Sequence, residues 1–336
     1  MKKAIGLALL AAALIAAAPR TGLYHVQKIW RLGGAGGWDY VTADAAAGLV
    51  YVTRSTHTMV LNAADGRQVA DILGQERSHG VALAPAAGRG FISDGKAGAV
   101  VVFDLKTRAV LGQVKAAPDA DGIIYDAADN RVLVAAGDAQ ELVSIPPDVD
   151  LKTGKGVRRL DLGGKPEFLA ADGRGRAYVN LVNKDEVAVV DVRAMKVLAR
   201  WPTAPGGVPT GLAIDAARGL LFVGCRKPAK LVVMSAKDGR VLSAVDIGQG
   251  VDAVRAAGGA AFASCGDGTL TEIRETAPGK FAAVQILRTE KGARTMGLDP
   301  LTHKIYLPTA LFGGKKNARG RPIPEPGTFR VVVVGL

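Results

Sequence analysis

Residues that could hold a cation recur at intervals close to one repeat length. Alignment of the chain on its apolar runs puts seven residues at one equivalent position: Asp39, Gly80, Asp121, Glu167, Thr210, Asp252 and Arg294. Four of the seven are carboxylates, and a ring of carboxylates with carbonyls and water suits a hard divalent cation such as calcium. Asp side chains also cap nearby backbone at polar loop ends. The sequence therefore leaves a metal role and a structural role open.

Basic and aromatic residues flank these carboxylates. Trp38 and His79 precede the equivalent position in the first two repeats, and Arg54, Lys96 and Lys227 fall in links expected on the same side. We predict an acidic ring beneath a basic rim, binding a polar or anionic ligand. The candidate ligand-binding residues are Trp38, Asp39, His57, His79, Asp121, Glu167, Arg226, Asp252, Arg294, Lys315, Lys316, Arg319 and Arg321.

An enzymatic alternative uses three of the same carboxylates. Asp121, Glu167 and Asp252 could hold a metal that polarises a carbonyl while His79 or His57 moves protons, as in a metal-dependent lactonase-like hydrolase. Motifs of other enzyme classes are missing: no Gly-x-Ser-x-Gly, His-Glu-x-x-His, Cys-x-x-Cys-His or phosphate-binding Gly-x-x-x-x-Gly-Lys-Ser/Thr occurs. The leading hypothesis is a non-enzymatic binding or scaffold protein without a cofactor.

A recurring apolar pentad organises the chain that must position these residues. Leu49-Val50-Tyr51-Val52-Thr53 ends in a small polar residue, and similar runs follow at intervals of about 40 to 45 residues. The anchors of these runs are Tyr51, Phe91, Leu133, Tyr178, Phe222, Phe262 and Tyr306. Each repeat has four short apolar runs, with hairpin turns such as Ala64-Asp65-Gly66-Arg67 between them. Four strands per period predict one propeller blade per repeat.

The signature Tyr51-Val52-Thr53 and the Asp-Gly turn after the third strand resemble the YVTN family of bacterial β-propellers, including YncE-like proteins. The resemblance covers nearly the whole chain after residue 18. Together with the seven anchors it predicts an all-β, seven-bladed β-propeller of four-stranded antiparallel blades. It also brings single-stranded DNA into consideration as a partner, beside an unknown protein or an anionic envelope polymer. Base stacking requires exposed aromatics beside cations, for which Trp38, Tyr40 and Phe312 are the candidates.

The two ends of the chain predict how the propeller closes. Residues 24–32 alternate like a strand before the first full repeat, whereas the last repeat stops after its third strand at 329–334. We predict that the N-terminal strand completes the last blade, which removes exposed edges and favours a monomer. The last repeat also carries a long insertion, 308–327, expected to overhang the face that bears the carboxylates.

The N-terminus predicts export. Lys2 and Lys3 followed by the apolar run 4–18 are typical of a signal peptide, which makes 19–336 a single mature domain, periplasmic or secreted and without a transmembrane span. The formal charge of +12 for the full chain favours anionic partners. Cys225 and Cys265 occupy equivalent positions in neighbouring repeats, where Cα atoms are expected too far apart for a disulfide, so we predict free thiols.

Overall fold

The computed structural model describes residues 22–317, 320 and 322–336, and the predicted signal peptide, 1–18, lies outside them. All seven predicted anchors are buried, with at most 1% of their surface exposed. The small polar residues that end the pentads are also buried. Short apolar runs centred on buried aromatic or leucine side chains therefore form the core, as the repeat predicted.

Strands make up almost all of the regular structure, and the one helix among the described residues is a single 3-10 turn, Pro85–Ala87. In chain order the strands are β1 His25–Arg31, β2 Val41–Asp44, β3 Leu49–Thr53, β4 Ser55–Asn62, β5 Gln68–Ala84, β6 Arg89–Asp94, β7 Ala99–Asp104, β8 Val110–Lys115, β9 Ala120–Asp126, β10 Arg131–Ala136, β11 Glu141–Ile145, β12 Arg158–Asp161, β13 Pro166–Ala171, β14 Arg176–Leu181, β15 Glu186–Asp191, β16 Lys196–Pro202, β17 Pro209–Asp215, β18 Leu220–Arg226, β19 Ala229–Ser235, β20 Val241–Asp246, β21 Val251–Ala257, β22 Ala260–Cys265, β23 Thr269–Ala277, β24 Lys280–Arg288, β25 Gly297–Leu298, β26 Ile305–Thr309, β27 Phe312–Lys316, β28 Pro322–Pro324 and β29 Arg330–Gly335. No helix in the described part of the chain is long and apolar enough to cross a membrane.

Most of these strands form antiparallel sheets in which strands that follow one another in the chain are neighbours. Four of the sheets have four strands in chain order, β9 to β12, β13 to β16, β17 to β20 and β21 to β24. A seven-stranded sheet runs from β2 to β8, because the long strand β5 pairs with β4 through its first half and with β6 through its second half. The result is an all-β fold of four-stranded antiparallel units of the kind found in propeller blades.

The N-terminal strand lies in the sheet of the C-terminal strands, whose order is β1-β29-β26-β25. His25 pairs with Gly335 and Arg31 pairs with Arg330, so β1 covers the outer edge of β29. Trp30 packs against Tyr306 with ring centroids 5.4 Å apart. It also covers Gly66 of the predicted Asp-Gly turn, where a Cβ would lie 2.2 Å from the indole. Aromatic packing across the join fixes the position of β1.

In several units the small polar residue that ends the pentad bonds to the neighbouring sheet unit. Thr53 donates its hydroxyl to the carbonyl of His79 at 2.8 Å, and Ser93 donates to that of Asp121 at 2.6 Å. Ser264 repeats the contact to the carbonyl of Arg294 at 2.5 Å. These buried bonds hold the first strands of successive units side by side, which explains why four of the pentads end in Thr, Ser or Asn.

The same kind of bond connects the last unit to the first. Thr295, just before β25, donates its hydroxyl to the carbonyl of Asp39 at 2.7 Å. In the third unit Ala135 stands where other units have the hydroxyl donor. There Gly122, which has no side chain, lets its strand lie close to the backbone of the next unit. A Cβ on Gly122 would lie 2.3 Å from the carbonyl oxygen of Glu167.

The insertion 308–327 contains a short hairpin of β27 and β28. Its base is tied down, since the hydroxyl of Thr309 donates to the carbonyl of Lys291 at 2.7 Å and the Phe312 ring lies 6.2 Å from that of Trp38. The insertion is thus anchored beside the start of the first unit, next to the carboxylates.

The prediction of free thiols is confirmed. Cys225 and Cys265 are both buried and unbridged. Burial raises the pKa of each thiol to about 12, so neither is a reactive thiolate near neutral pH.

Candidate functional site

Strand register defines which residues share the end of the sheet units where the carboxylates lie. The anchors pair with Thr42, Ala82, Ile124, Ala170, Ala213, Arg255 and Gly297 on the first strands. Three residues earlier stand Asp39, His79, Asp121, Glu167, Thr210, Asp252 and Arg294, which we call the mouth. The register corrects one predicted position, since His79 and not Gly80 is equivalent to Asp39. No turn marks the start of this unit because β5 runs through without a break.

His79 lies between two carboxylates of the mouth. Its Nδ1 is 2.6 Å from Asp39 Oδ2 and 3.3 Å from Asp121 Oδ1. Burial opposes the charge of the ring, but the hydrogen bond to Asp39 and the negative charges of Asp121 and Asp39 raise the pKa of His79 to about 9. The site at neutral pH is therefore an imidazolium held by carboxylates.

The other ring nitrogen of His79 is sealed in. Nε2 is buried and has no hydrogen-bond partner. It faces Gly95, where a Cβ would come within 2.8 Å of it, so only glycine fits. Burial also raises the pKa of the Asp121 carboxyl well above its usual range, against the charge of His79. The cluster is tightly packed and largely dry.

Asp252 anchors a second cluster, in which positive groups outnumber negative ones. Its carboxylate accepts a bond from Nη2 of Arg226 and lies 2.6 Å from Nε of Arg294. The carboxylate is 7% exposed, whereas the side chain of Arg294 is 48% exposed. One buried negative charge thus orients two guanidinium groups that keep donors free toward the surface.

Glu167 lies between the two clusters. Burial and the charge of Asp252 raise its pKa to about 7, partly offset by Arg226. Glu167 therefore exchanges a proton near neutral pH, the range in which a general acid or base is useful.

The predicted metal ligands Asp121, Glu167 and Asp252 do not come together as one set. Among the described residues, the group whose ligand atoms all lie within 4.8 Å of one another is Asp39, His79 and Asp121. Asp252 is instead held by Arg226 and Arg294. An aspartate surrounded by two guanidinium groups has little free charge for a cation, which is the physical reason for the difference.

Several predicted rim residues have other roles. Arg54 is 1% exposed and donates to the carbonyls of Gly37 and Ala35, at 3.0 and 2.8 Å, so it shapes the loop before β2 and is not a surface cation. Lys96 pairs with Glu76 at 3.0 Å. His57 lies on β4, where its Nδ1 is 3.2 Å from the hydroxyl of Thr56, outside the His79 cluster.

The insertion keeps two exposed cations, Lys315 and Lys316 on β27, while Arg319 and Arg321 lie outside the described residues. The predicted aromatic platform is not open. Tyr40 is buried, and Trp38 packs between Phe312 and Phe329, at 6.2 and 5.6 Å. Exposed faces for base stacking are therefore few.

Two aromatic rings close the floor of the mouth. Tyr40 and Phe168 come directly after Asp39 and Glu167, and their centroids are 5.0 Å apart in an edge-to-face arrangement. Beyond them lies a cavity of about 630 Å³, lined by the first strands as far as the turns at their other ends. We call the surface formed by these turns the far face.

The sequence interpretation missed this cavity and the arginine in it. Arg255 lines the cavity with its guanidinium carbon 4.7 Å from the Phe168 ring centroid. The sequence held one signal for Arg255. It is the only charged residue at its aligned first-strand position, which the other repeats fill with Thr42, Ala82, Ile124, Ala170, Ala213 and Gly297.

Comparison with known proteins identifies the architecture only. No protein-family model matches the chain, and no curated protein matches it. Among solved structures, Kuenenia stuttgartiensis Hydrazine Synthase is similar with a TM-score of 0.68, at 12% identity, over 81% of this chain and 92% of that one. Such low identity carries the fold and no activity. With the four-stranded antiparallel sheets, it shows a β-propeller-like all-β fold.

Proposed function

We propose that the chain is an exported, non-enzymatic seven-bladed β-propeller that binds an anionic partner at the mouth. Counting β5 as the fourth strand of one unit and the first of the next gives seven units. The pairing of β1 with β29 and the bond from Thr295 to Asp39 support closure by the N-terminal strand. The repeat signature around Tyr51 supports a YVTN-type propeller, and the run 4–18 supports export.

The observation that carries the binding proposal is the pair of guanidinium groups on Asp252. Two positive charges share one buried negative charge, so the pair keeps a net positive charge and outward-facing N–H donors. Arginine presents its donors in a planar fork that matches carboxylate, sulfate and phosphate groups. Because Asp252 fixes both side chains beforehand, little side-chain entropy is lost when an anion binds.

The partner that fits best is an acidic polymer such as a polyuronate of the cell envelope. Lys315 and Lys316 extend the positive surface over the insertion. Single-stranded DNA fits less well because Tyr40 is buried and Trp38 is packed between two rings. Contacts to any polyanion release counterions, so the affinity should fall as salt is raised.

The test is fluorescence anisotropy with labelled oligogalacturonate and with labelled oligo-dT, each at about 50 and about 200 mM salt. Arg294→Gln should weaken oligogalacturonate binding by about tenfold, because it removes one charge-assisted contact while Arg226 still neutralises Asp252. Lys315→Ala/Lys316→Ala should weaken binding and flatten the salt dependence.

A matched control replaces two exposed lysines on the far face, Lys106→Ala/Lys237→Ala, and should leave the affinity near that of the wild type. If neither polymer binds at low salt, or if Arg294→Gln binds oligogalacturonate as well as the wild type does, the mouth is not an anion site. Tighter binding of oligo-dT than of oligogalacturonate would identify nucleic acid as the partner.

A second candidate, a metal-dependent lactonase-like hydrolase, has one observation in its favour. Asp39, His79 and Asp121 bring their ligand atoms within 4.8 Å of one another, and Glu167 has a pKa of about 7 nearby in the same ring. A histidine must be neutral to bind a metal. With a pKa of about 9, His79 would have to release a proton to solvent before its ring nitrogen could bind the ion.

Elemental analysis separates the two candidates. Protein purified without chelator should contain no stoichiometric divalent metal if the mouth is a binding site of the kind proposed. One equivalent of metal, lost in His79→Gln together with hydrolysis of a simple lactone such as γ-butyrolactone, would favour the hydrolase.

A further inference from the structure

A second binding site lies at the opposite end of the first strands from the mouth. The cavity of about 630 Å³ has a size typical of small-molecule sites. Its walls are mostly apolar, with Val81, Leu83, Ile123, Leu212 and Leu298 among them. It extends to the turn residues Ala127, Ala128 and Gly173 of the far face, which gives a ligand a path in. Neither the mouth nor the insertion takes part in it.

The inner end of the cavity carries one positive charge without a partner. Arg255 forms no ion pair within the described part of the chain, and its one hydrogen bond is from Nη1 to the carbonyl of Val254, at 3.0 Å. Burial lowers its pKa to about 10, against an opposing effect from Tyr40. It remains charged at neutral pH, and a guanidinium with free donors beside an apolar space requires an anion or water.

The other polar groups that line the cavity have partners or lie at its far-face end. Asp126, the single carboxylate among them, accepts a bond at Oδ1 from the backbone N–H of Ala128 at 3.1 Å, while its Oδ2 is buried without a hydrogen-bond partner. It stands at the far-face end of its strand, and burial raises the pKa of its carboxyl. Thr42 donates its hydroxyl to the carbonyl of Val81 at 2.7 Å. The positive end of the cavity is therefore the inner end, and the apolar walls lie between it and the opening.

We propose that this cavity binds an amphipathic organic monoanion, with its carboxylate on Arg255 and its apolar body along the first strands. The guanidinium binds the carboxylate through two parallel N–H donors, and the Phe168 ring on the other side holds the guanidinium in place. The chain then has two anion sites of different kinds. The mouth takes a polymer at an exposed surface, and the cavity takes a single small molecule out of water.

The test is isothermal titration calorimetry of the mature protein with four probes that separate charge from apolar surface. Octanoate should bind, 1-octanol should bind at least about tenfold more weakly, and acetate and octyltrimethylammonium should not bind measurably. Arg255→Met should lower the affinity for octanoate by about tenfold or more and leave that for 1-octanol nearly unchanged. Arg67→Met, an exposed arginine at a far-face turn, is the matched control and should bind like the wild type.

A second variant keeps the proposal testable if Arg255→Met does not fold. Ala256→Trp retains the charge but fills part of the cavity, and it should abolish binding of both octanoate and 1-octanol. The proposal is overturned if octanoate fails to bind, if octanoate and 1-octanol bind equally, or if Ala256→Trp binds octanoate like the wild type. Because these probes are too small to report on the polymer site, failure here leaves the proposal for the mouth intact.

Discussion

The two ends of the first strands use charge in opposite ways. At the mouth, His79 lies between Asp39 and Asp121, and Asp252 holds Arg226 and Arg294, so charged groups face one another. At the other end, a single guanidinium, Arg255, sits at the base of an apolar cavity without a carboxylate partner. Asp252 and Arg255 are only three residues apart on β21. The same strand thus supplies a satisfied charge to one end and an unsatisfied one to the other.

This difference predicts which charges add to the stability of the fold and which reduce it. A buried charge with partners loses stability when a partner is removed. A buried charge without partners costs free energy in the folded state and is relieved when it is replaced by an apolar group of similar volume. Measurements of stability can therefore distinguish the two ends before any ligand is known.

The largest effect should come from deleting β1, because both ends of the first strands depend on an intact fold. A chain that begins at Gly33 lacks β1 and exposes the edge of β29, and it should lose cooperative unfolding or associate. A chain that begins at Gly22 keeps β1 and is the control. Calorimetry and size-exclusion chromatography are the measurements. A monomer with an unchanged melting temperature after loss of β1 would mean that β1 does not close the structure.

Matched arginine substitutions compare the two ends directly. Arg226→Met/Arg294→Met leaves Asp252 buried and unpaired and should lower the free energy of unfolding by about 3 kcal/mol. Adding Asp252→Asn should recover most of the loss, because it removes the unpaired charge. Arg255→Met should change stability by no more than about 1 kcal/mol. Urea unfolding of the four proteins at pH 7 tests this, and equal losses at both ends would remove the distinction.

The mouth should also make stability depend on pH. The pKa of His79 is raised to about 9 in the folded protein from an ordinary value of 6.5, so its contribution is complete below pH 6.5 and is lost as the pH rises through 9. The loss is on the order of 3 kcal/mol. His79→Gln should flatten this dependence between pH 6.5 and 9, and Asp39→Asn should reduce it.

The same pH series should leave the other end unaffected. Arg255→Met should retain the slope of the wild type, because its charge does not change in this range. Urea unfolding at several pH values is the measurement. A slope that survives His79→Gln, or that disappears in Arg255→Met, would place the titrating group elsewhere.

The smallest effect should come from the insertion. Lys315→Ala/Lys316→Ala should change the free energy of unfolding by less than about 0.5 kcal/mol, because both side chains are exposed and surface charges contribute little. Thermal unfolding measures it. A larger loss would indicate that β27 and its cations support the fold rather than a partner.

Much of the fold could be predicted from the sequence because its signals are local and repeated. Patterns of a few residues predict the anchors and the small polar residues that end pentads. They also predict that an N-terminal strand pairs with the last repeat. The alignment of the repeats was wrong by one residue in the second repeat, where it placed Gly80 instead of His79 beside Asp39. There β5 continues through two units and no turn marks the boundary. The sequence alone did not fix this register.

The sites were less predictable because they depend on partners distant in sequence. Arg54 is buried because the carbonyls of the loop 33–37 converge on it, and no residue pattern announces such acceptors. The repeat spacing made Asp252 a candidate metal ligand, but its carboxylate is paired with Arg226 and Arg294, which were both predicted as ligand-binding residues. Arg255 could have been found as the one charge among small or apolar residues at its repeat position, yet the cavity around it required the structure.

The most direct test of this two-ended arrangement is nuclear magnetic resonance of the arginine Nε–H groups in deuterated protein, with assignment by single substitution. Addition of oligogalacturonate should shift the signals of Arg226 and Arg294 and leave that of Arg255 in place, and octanoate should do the reverse. If oligogalacturonate leaves Arg226 and Arg294 unshifted, or if each ligand moves all three signals alike, the two ends are not separate anion sites.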